Sequence, residues 1–123
     1  ETNSPSKRAD TTAIGIDVGL VILFAAIGYQ THANELTLNG VASTAWPFLV
    51  SLLVAHSLLI FLRRPAAHLL SGAAVWLVTV IGGMALRQLT GDGTATAFIV
   101  VATLFNATTL LGWRAGAALI ARR

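Results

Sequence analysis

The chain has 123 residues, of which 55% are hydrophobic and only 11% charged, with a mean hydropathy of +0.76 and a formal net charge of +3. A soluble domain carries roughly 25% charged residues, so this balance marks an integral membrane protein with room for one helical bundle and no second domain. Cysteine is absent, which removes disulfides and thiolate metal sites, and the eight basic residues sit at helix ends, which speaks for a membrane rather than nucleic acid.

Residues 1–11 form a polar tail with Ser4-Pro5-Ser6 and Lys7-Arg8, a composition that reads as disordered. Lys7-Arg8 before an apolar run has the start of a signal peptide, but no small-x-small cleavage site follows. Residues 12–29 are therefore read as a retained first membrane helix. The connection from Gln30 to Gly40 holds His32, Asn34, Glu35 and Asn39 and no Lys or Arg. In the second span, 41–62, only Ser43, Thr44, Ser51, His56 and Ser57 are polar, and Arg63-Arg64-Pro65 end it. At about 1.5 Å of rise per residue this run crosses a hydrocarbon core about 30 Å thick. The third span, 69–86, stops at Arg87-Gln88, and Gly91-Asp92-Gly93 supplies the φ freedom for a tight reversal into the fourth, 95–113.

The spans form one transmembrane domain over residues 12–121, with a basic end at 114–123. With both termini inside, Lys7, Arg8, Arg63, Arg64, Arg114, Arg122 and Arg123 fall on the cytoplasmic side and only Arg87 falls outside, as the positive-inside rule favours. The expectation is an all-α four-helix membrane bundle with short loops and both termini cytoplasmic. Tyr29, Trp46 and Trp113 then lie near the interfaces, where aromatic rings are enriched; Trp76 does not.

Gly28 with His32, Thr44-Ala45-Trp46-Pro47-Phe48-Leu49, Val75-Trp76, Gly83-Met84, Leu86-Arg87 and Leu111-Gly112-Trp113-Arg114 together resemble the pattern of a family of small four-helix membrane proteins. That family is catalogued as a domain of unknown function and is found largely in high-GC Gram-positive bacteria and some archaea. The resemblance covers Ile14 to Arg114 and implies fold and a plasma-membrane location, but no activity. Three positions depart from the pattern: Tyr29 stands where the resemblance implies an arginine, and Ala55-His56 where it implies glycine and tryptophan.

Helical spacing assigns the inward faces. Asp17, Val21, Phe24 and Gly28 share one face of the first helix, continued by His32. The second presents Gly40, Thr44, Pro47, Ser51 and Ala55; the third Gly72, Trp76, Thr79 and Gly83, with Arg87 a turn beyond; the fourth Thr96, Thr103 and Asn106 beside Ala107. Small and polar stripes let membrane helices approach and hydrogen-bond. Trp76 is expected in the middle of the bundle or in a groove on it.

The polar candidates each carry two readings. Asp17 either pairs with Arg114 at the same membrane level or serves as a proton or cation site. Arg87 either joins Glu35 and Asp92 in an external salt-bridge cluster or receives an anionic ligand. A layer of Asp17, His56 and Asn106 would make a proton relay, but His56 is rotated about 120° from Thr44 and Ser51, which points it to lipid or a partner. Pro47 is read either as an entry-turn proline, within the first turn or two of its helix, or as a gating kink. Gly15-x-x-x-Gly19 and Gly112-x-x-x-Gly116 offer faces for a second protein or copy.

No Ser/His/Asp set, paired carboxylates or phosphate-cradling loop occurs, so neither catalysis nor a cofactor, haem or metal is expected. The leading reading is an accessory or structural subunit packing against larger membrane proteins. The alternatives are a self-associating transporter or channel lined by Asp17, Thr79, Thr103 and Asn106 with Arg87 at its mouth, or a lipid- or quinone-binding protein using a groove beside Trp76.

Overall fold

The computed structural model describes the backbone of residues 5–33 and 36–122 and the side chains of residues 7–30 and 36–122. Among the described residues four helices are long and apolar enough to cross a membrane: α1 (Pro5–Ala33), α2 (Leu38–Phe61), α3 (Leu69–Leu89) and α4 (Thr96–Ala121). Each packs on its neighbour in sequence, and α4 closes the ring against α1. We call the end where α1 begins and α4 finishes the proximal end, and the opposite one the distal end.

Every helix outruns its expected span at one end or both, α1 and α4 by the most. α1 starts at Pro5, not Thr12, so the tail from Pro5 onward is helix. Proline is pre-organised for a first helical position, and Lys7, Arg8 and Ala9 are good helix formers. Residues 1–4 lie outside the described residues. α4 continues past Trp113 through an alanine-rich turn to Ala121, where nothing in the composition breaks it.

α2 begins at Leu38, where the hydroxyl of Thr37 accepts from Gly40 N at 3.1 Å and satisfies one of the orphan donors of the first turn. Pro47 therefore stands well inside α2, in its third turn, and the entry-turn reading fails because the helix starts earlier than the apolar run. Its missing N–H deprives the Ser43 carbonyl of its helical donor. α2 ends in a Schellman turn: Arg63 N donates to Ile60 O at 3.1 Å, Arg64 N to Leu59 O at 2.9 Å, and Arg63 takes the left-handed φ of 59°. The distal turn after α3 repeats the motif with Gly91 at φ 83°, where glycine carries no Cβ penalty.

Among the described residues the inward stripes are buried or half-buried with one exception, Thr96, which is exposed at the start of α4. Close approach of α2 and α3 rests on glycine. A Cβ at Gly83 would collide with the Phe48 ring, and one at Gly82 with the Ser51 side chain. Phe24 packs edge-on to Phe48 with ring centroids at 5.3 Å, and Phe98 and Phe105 add further rings at 5.8 and 5.9 Å from Phe24. These four rings fill the axis of the bundle between Asp17 and the distal end. Leu53, Ile60, Phe61, Ile81, Leu104 and Leu119 face outward, as a surface solvated by lipid tails requires.

Candidate functional site

α4 is not a uniform helix. Ala107–Leu111 forms a π turn between two α-helical segments. Ala102, Asn106, Leu110 and Arg114 are all buried, although four-residue steps drift about 40° each on a regular α-helix. The wider i→i+5 turn lies between Asn106 and Arg114 and shifts the face on which Arg114 leaves the helix. Thr109 donates its hydroxyl to Phe105 O at 3.0 Å, adding a side-chain bond where the helical ladder changes step.

Arg114 meets Asp17 in a two-pronged pair, with Nη1 to Oδ1 at 3.0 Å and Nη2 to Oδ2 at 2.7 Å. Both side chains are fully buried. Trp113 Nε1 donates to Oδ1 at 2.9 Å and His56 Nε2 to Oδ2 at 2.8 Å. Facing a guanidinium, the carboxylate acts only as acceptor, so Nε2 of His56 is the ring nitrogen that carries the proton. A carboxylate offers about four lone-pair sites, and here all are filled. Arg114 also donates to Leu110 O at 2.9 Å and, through Nε, to Ala66 O at 2.8 Å.

The α2–α3 loop lies over this cluster. Ala66 accepts from Arg114 on its carbonyl and donates its N–H to Asp10 Oδ1 at 3.1 Å. The guanidinium fits because Gly72 leaves room for it: a Cβ there would lie 2.5 Å from Arg114 Cδ. Helices α1, α2 and α4 thus supply the polar groups, α3 supplies the space, and the loop supplies the lid.

His56 corrects the sequence reading. It is buried and bonded to Asp17 rather than facing lipid, because α2 packs on both α1 and α3 and its buried arc spans more than one stripe. Trp113, assigned to the interface, joins the cluster as well. Asn106 does not: its Nδ2 donates to Ala102 O at 2.8 Å. Thr79 is fully buried elsewhere, and among the described residues its hydroxyl and Asn106 Oδ1 have no hydrogen-bond partner. Trp76 is half-buried at the α3–α4 seam, donating to Thr103 O at 3.0 Å. The side chains of His32 and Glu35 lie outside the described residues.

Arg87 sits at the distal end and bonds backbone rather than a carboxylate. Nε donates to Gly93 O at 3.1 Å and Nη2 to Asp92 O at 3.3 Å. The expected salt bridge with Asp92 is not formed, because the glycine turn presents carbonyls to the guanidinium while the Asp92 carboxylate accepts from Thr90 at 3.5 Å.

No curated protein and no solved structure matches this chain. The model of one family, described as a protein of unknown function (DUF3054), matches residues 14–117, and the chain belongs to that family.

Proposed function

We propose that this is a small non-catalytic membrane protein that serves as an accessory or structural subunit of a larger membrane assembly. The observation that carries the reading is the closure of Asp17. Its four acceptor sites are occupied by groups of the same chain, and a phenylalanine cluster fills the axis beyond it. A carboxylate that serves a passing proton or cation needs a vacant site and a wet approach, and this one is spent on holding helices together.

The outer surface fits the same role. Gly15, Gly19, Gly112 and Gly116 have nothing within 4 Å of an added Cβ, so α1 and α4 offer small-residue faces of the kind that admit a neighbouring helix. The basic residues at the proximal end favour a cytoplasmic placement of both termini. The test is mild detergent extraction of the untagged protein from native membranes, followed by sizing and mass spectrometry. Larger membrane subunits at fixed ratio are the expected result. Recovery of the chain alone, or only of copies of itself, would overturn the reading and favour a self-associating transporter.

A further inference from the structure

The distal end holds a cavity of about 420 Å³ between the end of α1, the first turns of α2 and α4, and the α3–α4 turn. Small-molecule sites occupy roughly 300–1,000 Å³. Its walls carry Arg87, Tyr29, Ser43, Thr44, Phe98 and Asp92. The Arg87 guanidinium stacks 4.3 Å above the centroid of the buried Phe98 ring, and its Nε and Nη2 are fixed on the Gly93 and Asp92 carbonyls. Those bonds occupy one side of the fork. Nη1 and the second Nη2 hydrogen, which form the end of the guanidinium, meet no acceptor among the described residues, and no carboxylate lies within ion-pair distance of Arg87 there.

We propose that this cavity binds a phosphate oxyanion, held end-on by Arg87. The guanidinium is already oriented and half desolvated, so a bidentate bond to two oxygens costs little further ordering. More donors line the same cavity than a carboxylate needs. Tyr29 accepts from Thr37 at 3.4 Å and keeps its own proton to give, and Ser43 adds a hydroxyl. The Thr44 hydroxyl is committed to Gly40 O at 3.0 Å and contributes wall rather than donor. Asp92, the one carboxylate on the wall among the described residues, stands at the exposed rim. The phosphate belongs either to a lipid headgroup or to a soluble compound, since the cavity opens at the end of the membrane spans.

The experiment uses the full chain in neutral detergent, titrated calorimetrically with inorganic phosphate. In parallel, nanodiscs of phosphatidylglycerol and phosphatidylcholine feed native mass spectrometry. One phosphate bound per chain supports the site and assigns a soluble ligand. One phosphatidylglycerol retained per chain without a response to inorganic phosphate supports it and assigns a lipid. Arg87→Gln is expected to weaken whichever binding is seen by about tenfold or more, since a hydrogen bond to a charged group is lost, and Arg87→Lys less, since an ammonium keeps charge but not the fork. Tyr29→Phe combined with Ser43→Ala leaves the Arg87–turn contacts untouched and is expected to weaken binding about three- to tenfold at unchanged thermal stability. Arg64→Gln, at the opposite end, leaves it unaltered. Binding of neither probe, or binding indifferent to Arg87→Gln and to the double variant, overturns the proposal.

Discussion

Arg114 and Arg87 stand at opposite ends of one bundle, and they are treated in opposite ways. Arg114 is wholly buried, faces a carboxylate through both terminal nitrogens and adds two backbone carbonyls. Among the described residues Arg87, partly exposed, bonds two carbonyls of a turn, stacks on Phe98 and keeps the end of its fork toward a cavity. Burying a charge is tolerable when the partner is close and its remaining lone pairs are met, which is the proximal case. Among the described residues the distal case has no such internal balance, and this is why we place cohesion of the bundle at one end and recognition at the other.

Removal of Asp17 is the severest test of that contrast. Asp17→Ala leaves Arg114 buried without its counter-charge and is expected to cost about 3–5 kcal/mol, read as loss of a cooperative thermal transition in detergent. A variant as stable as the parent would remove the structural role of the cluster. Gly72→Val comes next, because its side chain would occupy the place of Arg114 Cδ. Overpacking of this kind costs about 1–3 kcal/mol, and a thermal midpoint unchanged from wild type would show that the guanidinium has another home.

His56→Leu withdraws one of the four donors to Asp17. Interhelical hydrogen bonds in membranes average about 0.6 kcal/mol and a stranded buried acceptor costs about 1–3 kcal/mol, so a loss of about 1 kcal/mol is expected, again by thermal unfolding. The smallest effect belongs to the distal end. Arg87→Gln gives up a partly exposed cation–π contact and two carbonyl bonds, together about 1 kcal/mol or less. A destabilisation by Arg87→Gln that equals that of Asp17→Ala would collapse the distinction between the two ends.

The four spans were legible because length and hydropathy decide whether a helix crosses a bilayer, and Leu53 or Ile60 need no partner to declare themselves. Helix ends were less so. Residues 5–11 are mostly polar, and Arg114 interrupts the apolar run after Trp113, although the backbone stays helical at both places. The Asp17–Arg114 pairing was within reach, since opposite charges at one membrane level have few other choices. His56 was not, because a helical wheel drawn from Thr44 and Ser51 assumes one buried stripe, and α2 has two neighbours. Nor does any residue announce the π turn.

The ion pair at the proximal end also sets an order of events in synthesis. Asp17 enters the membrane with the first helix, while Arg114 lies 97 positions later in the chain. At about 5–20 residues per second the carboxylate waits roughly 5–20 s for its counter-charge. His56 follows only 39 positions behind Asp17 and reaches it in roughly 2–8 s at the same rate. The order of synthesis thus offers Asp17 a hydrogen-bond donor from α2 before α4 supplies the cation.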